Sequence, residues 1–285
     1  MSRLMRLFYY GVLGAIGGIL GWQASNLLGL SFTSNLYASE IIVGALIGLF
    51  IGLLIGLAEG VLTRNLVLAV KAGLIGAGLG ALGGAVGLPL AEGLFQAFGG
   101  YVWARAIGWA IFGTMIGLAI GYTGGSQIWK PALGGMLGGL LGGVLLESAL
   151  NWLGSSLLGK AAGLLLLGAS IGVFIALIVY LLSKAWFKVL DGKLKGTEFI
   201  LDKFLHERGP AAYIGSDALK ADIVLPDPDI APQHAVLKGA GTYFNLKDMS
   251  LNGTFVNNQR IEQTKLKNNH KIRMGNTHLE YYEKR

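Results

Sequence analysis

Cysteine is absent from this 285-residue chain, so a disulfide-stapled secreted scaffold is excluded. Charge is scarce too. Only 14% of the residues are Asp, Glu, Lys or Arg, where a soluble globular chain carries about a quarter. The shortage is uneven: residues 1–189 hold 13 of the 39 charged residues, and residues 190–285 hold the other 26. Glycine is skewed the other way, with 38 of 46 before residue 190. Hydrophobic residues make up 53% of the chain and its mean hydropathy is +0.58. Two solvents are implied, lipid for the first two-thirds and water for the last third. A single soluble domain and a disordered tail are both excluded. The net charge of +7 divides into +5 and +2, which leaves no strongly basic surface for nucleic acid.

Apolar runs cover about 7–22, 40–62, 72–91, 104–122, 132–152 and 161–183. Each is long enough, at about 1.5 Å per residue, to cross a hydrocarbon core of roughly 30 Å. The first follows Arg3 and Arg6 as a secretory signal would, but Trp22-Gln23 makes a poor cleavage site. Six spans are expected. With the N-terminus inside, the inner side holds Arg3, Arg6, Arg64, Lys71, Lys130, Lys184 and Lys188, and the outer side only Arg105 and Lys160. The positive-inside rule therefore places both termini in the cytoplasm. Trp22, Trp103, Trp129, Trp152 and Trp186 fall at span ends, where an amphipathic indole prefers to lie.

The spans repeat. Ile55-Gly56-Leu57-Ala58 recurs as Ile116-Gly117-Leu118-Ala119 and more faintly as Ile171-Gly172, each with a further glycine four residues before (Gly52, Gly113, Gly168). The spans before them are glycine-rich, as in Gly76, Gly80 and Gly84 or Gly134, Gly138 and Gly142. Three helical hairpins in one orientation are expected. Gly44, Gly48, Gly52, Gly56 and Gly60 form a bare stripe, and Gly113, Gly117 and Gly121 a second. Such stripes let two helix backbones approach closely, so compact packing within the bundle is favoured over self-association or a pore; a homo-oligomer stays open. The acids Glu40, Glu59, Glu92 and Glu147 lie near span ends, where Glu59 pairs with Arg64 and Glu92 or Glu147 with Arg105 or Lys160. A transport path would place an ionisable group near mid-membrane.

From about residue 188 the pattern changes. Residues 188–196 read as a short basic linker, with Lys184 and Lys188 near anionic headgroups or simply flanking the last span. Short strand-like runs follow at 197–201, 212–214, 222–225, 234–238, 243–247, 253–256, 271–273 and 277–282. They are broken by Pro226-Asp227-Pro228-Asp229, Asn252-Gly253 and Asn257-Asn258, which argues an antiparallel β-sandwich. The expected organisation is a six-span domain (1–187), a linker (188–196) and a sandwich (197–285).

Four blocks in the tail, in order and spacing, carry a resemblance: Tyr213-Ile214-Gly215-Ser216, Ala221–Leu225, Ala231–Leu237 and Leu246–Asn257, closed by Lys271–Gly275. They resemble the forkhead-associated (FHA) domain over about residues 194–284, and the whole chain is similar to bacterial multispan membrane proteins ending in such a domain. The resemblance implies an eleven-stranded sandwich whose loops at one end bind phosphothreonine peptides, and a bacterial inner (plasma) membrane. A phosphate dianion needs an Arg, a hydroxyl and backbone N–H groups. The family's Arg, directly after Gly215, is here Ser216. Its Ser, three residues before His234, is Ala231, followed by Pro232, which has no N–H. The hydroxyl residue before the Asn-Gly pair is Leu251. The bracing His234 and the peptide-holding Asn252, with Gly253, are kept, and Ser250 is a turn-capping hydroxyl. Lys220 or Lys238 is the nearest candidate to replace the lost cation, though lysine lacks the bidentate fork.

His206, His270 and His278 show no metal-ligand spacing, and the paired aspartates at 227 and 229 are explained by turn chemistry ahead of a divalent-ion site. No metal site or cofactor is assigned. Nor is there a nucleophile–base pair, a P-loop or a dinucleotide fingerprint, so no enzyme is expected. The expected function is a signalling or scaffolding adaptor: a membrane domain presents an FHA-type module with a degenerate phosphate site to a cytoplasmic protein or peptide, or to the chain's own membrane domain. The alternative is a transporter or channel gated by the sandwich.

Overall fold

A computed structural model describes residues 3–29, 36–153 and 156–284. Met1, Ser2 and Arg285, at the outer limits of the expected domains, lie outside the described residues. Six helices come first: α1 (Arg3–Leu27), α2 (Leu36–Leu62), α3 (Leu66–Ala97), α4 (Val102–Thr123), α5 (Trp129–Trp152) and α6 (Ser156–Leu182). All six are long and apolar enough to cross a membrane. The turn between α2 and α3 is tight: Arg64 takes a left-handed conformation (φ 53°), and the Asn65 side chain caps α3 by accepting from the Leu68 N–H at 2.9 Å.

The helices close into a ring, each packing on its chain neighbours and α6 returning to α1. The even helices supply its core: Ile51 and Ile55 of α2, Phe112 and Ile116 of α4, and Leu167 and Ile171 of α6 meet in one cluster with no exposed surface. The glycines of the repeat face sideways. A Cβ added to Gly52 would collide with the Gly76 carbonyl of α3, one on Gly113 with the Gly135 carbonyl of α5, and one on Gly168 with the Gly14 carbonyl of α1. The three equivalent positions thus make three equivalent backbone contacts. These join consecutive hairpins, and the third closes the ring. The Gly44–Gly60 stripe lies along α3 from Gly84 to Ala69, Gly117 lies against Pro131 of α5, and Gly121 against Ile128 just before it.

Eleven strands follow: β1 (Ala185–Asp191), β2 (Glu198–Ile200), β3 (Ala212–Gly215), β4 (Ile223–Val224), β5 (Ala235–Gly239), β6 (Phe244–Asp248), β7 (Thr254–Val256), β8 (Gln259–Ile261), β9 (Gln263–Lys265), β10 (Lys271–Met274) and β11 (Thr277–Glu283). They form two sheets, β2-β1-β11-β10-β7-β8 and β4-β3-β5-β6-β9. Phe187, Leu201, Ile214, Leu237, Phe244, Ile272 and Tyr281 pack between them. The β7–β8 hairpin turns on Asn257 and Asn258, both at positive φ (49° and 67°), the geometry of a two-residue type I′ turn.

Three sequence expectations change here. Residues 188–196 are no linker: β1 starts at Ala185, two residues after α6, and lies between β2 and β11. Its inward residues Ala185, Phe187 and Val189 alternate with Trp186 and Lys188, a period-two pattern that six charge-poor helices beforehand disguise. Lys188 sits across from Glu198 and Glu280 in the sheet, so it serves the strand. Glu59 pairs with Arg6 of α1 at 2.9 Å and accepts from the Tyr10 hydroxyl at 3.1 Å, because α1 packs beside α2 while Arg64 is held in its turn. Arg105 does meet both Glu92 (2.7 Å) and Glu147 (3.3 Å).

The sandwich sits on one end of the helical ring. Lys130, at the start of α5, donates to the Asp202 carboxylate at 2.6 Å and to the Leu182 carbonyl at 2.8 Å. Both charged side chains are buried, Lys130 to 1% exposure and Asp202 to 0%. Arg6 donates to the Glu198 carbonyl at 3.0 Å, and the Lys203 N–H to the Gly125 carbonyl at 2.9 Å. A cavity of about 30 Å³, lined by Arg6, Tyr10, Glu59, Thr123 and Ile200, remains at this joint, room for about two waters.

Candidate recognition loops

β1 leaves the helices at Ala185 and reaches Asp191 at the far end of the sandwich, where it pairs with the start of β11. Thr277 and Asn276 at that far end bind the Asp227 carboxylate through a hydroxyl (3.0 Å) and a backbone N–H (2.9 Å). The loop after β4 is therefore carried on the end facing away from the helices, and the loops around 216 and 250 meet it there.

His234 ties the three loops together. Its side chain has no exposed surface. Nδ1 accepts the Ala231 N–H at 3.2 Å, so the proton is assigned to Nε2, which lies 3.3 Å from the Gly253 carbonyl and 3.1 Å from the Ser250 hydroxyl. Its backbone completes the brace: the His234 N–H donates to the Ile214 carbonyl and its carbonyl accepts from Met249. Ser250 is held from below by Asp248, whose carboxylate also accepts from the Thr254 hydroxyl at 2.8 Å. Gly215 has no room for a side chain, since a Cβ there would collide with the Pro232 carbonyl. Ser216 turns its hydroxyl inward to the Ile230 carbonyl at 2.7 Å while its N–H donates to Ala231. Asn252 donates to the Asp229 carbonyl at 2.9 Å. Leu251 is 98% exposed at the tip.

Burial pushes the His234 pKa down, although the Gly253 hydrogen bond opposes it. The neutral ring is thus required by the fold, and the unfolded chain takes up a proton at higher pH than the folded one. Stability from this group is complete above the unfolded value of about 6.5 and is lost as the pH falls below it. The sandwich's thermal midpoint should fall as pH drops from 7 to 5, and His234→Asn should flatten that slope; an unchanged slope would remove His234 as its source. Asp227 works in a lower window. Burial raises its pKa, but bonds from Asp229, Thr277 and Asn276 outweigh that and hold it below the usual carboxylate range. Its contribution persists until the pH falls below about 4.

The expected replacement cations are not at the tip. Lys238 is near the helix-side end of β5, one residue before Gly239, which packs against the Leu205 carbonyl. Lys220 lies 3.9 Å from Asp217 and lines a groove that also holds Lys71 and Lys203. Arg260 of β8, which the sequence reading passed over, does reach the tip: it donates to the Leu251 carbonyl at 3.1 Å, beneath the Leu251–Gly253 turn. Its only sequence signal is its place beside the Asn-Asn hairpin. Asp217, Asp227, Asp229 and Asp248 outnumber it.

The family model described as FHA domain matches residues 212–275. This segment is an FHA domain. Solved structures to which the FHA-containing part is similar include the FHA domain of the CT664 protein from Chlamydia trachomatis (32% identity, TM-score 0.33, 36% of this chain and 100% of that one). The FhaA FHA domain, solved in complex with the intracellular domain of a second protein, is 26% identical (TM-score 0.30, 34% and 98%). The cytoplasmic domain of the type III secretion sorting platform protein PscD from P. aeruginosa is 22% identical (TM-score 0.31, 35% and 80%). No curated protein matches the chain. FHA domains are binding modules, and here one is joined to six helices of transmembrane length and composition.

Proposed function

We propose that the chain is a membrane-bound adaptor that holds its FHA domain against the cytoplasmic end of the helices and offers the far loops to a protein partner without requiring phosphate. One observation carries this reading. The buried Lys130–Asp202 pair docks the sandwich by the end opposite Ser216, Ala231, Leu251 and Asn252. A rigidly oriented module raises its partner's effective concentration at the membrane without new contacts. The ring core filled by Ile51, Phe112 and Ile171 supports an adaptor over a channel. The basic residues at the docked end, Arg6, Lys71, Lys130 and Lys203, support a cytoplasmic sandwich.

Phosphate independence rests on chemistry at the tip. Ser216 is spent on Ile230, Ala231 and Leu251 bring no hydroxyl, and the aspartates around them repel a dianion. Two lost charge-assisted bonds, at about 1.5–3 kcal/mol each, weaken a phosphopeptide site by roughly two to four decades. The test uses the full chain in lipid nanodiscs, because a fragment starting at 190 lacks most of β1. Matched phosphothreonine and unmodified peptide libraries are bound to the natural protein and to Ser216→Arg/Ala231→Ser. Phosphate preference is expected only in the variant; preference in the natural protein would overturn the reading.

A further inference from the structure

A groove of about 810 Å³ opens on the flank of the joint between α6 and the sandwich. Its floor is the last turn of α6, where Leu181 is 53% exposed and Leu182 lies beside it. Its walls bring together four lysines from three parts of the chain, Lys184, the neighbouring Lys265 and Lys267, and Lys284, against one acid, Glu283. Two of the ammoniums are held over aromatic rings: Lys265 stands 3.6 Å from the Tyr243 ring centre, and Lys284 5.8 Å from Tyr180 and 5.9 Å from Trp186. Lys284 also donates to the Leu181 carbonyl at 3.4 Å.

We infer that this groove seats the phosphate headgroup of an anionic phospholipid. The inference rests on reading the helices as membrane spans. The lysines then stand at headgroup depth around the point where α6 leaves the bilayer, and Leu181 and Leu182 continue the apolar surface along which an acyl chain runs. Lysine suits the task, being a flexible point charge that meets a mobile phosphate without a fixed fork. Aromatic rings at this depth share the interface. A bound lipid would bridge α6 to β9 and β11, so the joint would hold the recognition loops at a fixed angle to the membrane.

The full chain is reconstituted into vesicles of phosphatidylcholine with and without phosphatidylglycerol, and the lipid retained is counted by native mass spectrometry. The natural chain should retain phosphatidylglycerol in preference to phosphatidylcholine. Lys265→Gln/Lys267→Gln should weaken that retention about 25-fold, roughly fivefold per surface lysine. Lys238→Gln/Lys247→Gln, exposed lysines of β5 and β6 outside the groove, should leave it unchanged. Equal retention of both lipids, or an equal loss in the second pair, would overturn the site. Displacement of the lipid by millimolar inorganic phosphate would overturn the lipid source and assign the groove to a soluble anion. A chain that floats with neither vesicle would fail earlier, at the membrane reading itself.

Discussion

Lys130→Met should cost about 3–5 kcal/mol, because it strands the Asp202 carboxylate in a site with no exposed surface. Asp202 is committed on both oxygens. One takes the lysine, and the other accepts the Lys184 and Ala185 N–H groups at 2.8 and 3.0 Å, so the aspartate also fixes the first residues of β1. Asp202→Asn keeps an acceptor for those amides but turns its NH2 toward the Lys130 ammonium and leaves that buried charge unpaired, so a loss of similar size, about 3–5 kcal/mol, is expected for it. Other ties across the joint are single hydrogen bonds, such as the neutral bond from Lys203 to Gly125, with a net value of about 0.5–1.5 kcal/mol, and the charge-assisted one from Arg6 to Glu198, at about 1.5–3 kcal/mol. The loss should therefore appear at the joint. In Lys130→Met, amide exchange at Lys184 and Ala185 should speed up and the 183–203 segment should become open to protease, while the β5–β6 amides stay protected. Unchanged protection at Lys184 and Ala185 would mean that the ion pair does not hold the sandwich in place.

That joint is also where the sequence was least legible. The six helices announced themselves through composition alone, since runs such as Ile41–Ala58 are long and apolar enough to cross a bilayer. The sandwich announced itself through four spaced blocks, and Asn257-Asn258 marked its hairpin correctly. Both signals are local. Lys130, by contrast, has the sequence context of any basic residue at a span end, and only its partner 72 residues away makes it a buried ion. Arg6 with Glu59 and the β1 strand share this property: each is defined by an element distant in the chain. At the candidate loops, the positions where Ser216, Ala231 and Leu251 depart from the pattern that the resemblance implies were readable. The inward turn of Ser216 and the place of Arg260 were not, because side-chain direction depends on neighbours that no spacing encodes.

The glycine contacts give the second large effect and test the ring directly. Gly52→Val, Gly113→Val and Gly168→Val each drive a branched side chain into a backbone carbonyl of the adjoining helix, Gly76, Gly135 and Gly14 respectively. Overpacking a tight core costs about 1–3 kcal/mol and at times more. Here the upper part of that range is expected, because helix backbone faces helix backbone and no side chain can swing aside. Gly78→Ala is the control. A Cβ there meets nothing within 4 Å, so the change should be neutral or stabilising by up to about 1 kcal/mol through helix propensity. The comparison among the three valines is the sharper result. If the repeat builds three equivalent contacts, detergent-titrated unfolding should show similar losses at all three. The Gly168 contact differs in one respect: it joins α6 to α1, the two helices farthest apart in the chain, and α1 leaves the ring only by opening that seam and the α1–α2 seam together. A mild Gly168→Val beside two severe variants would mean that the ring is open between α1 and α6. Arg6 of α1 would then be free to swing away from Glu198, and the sandwich would lose one of its supports without any change at Lys130.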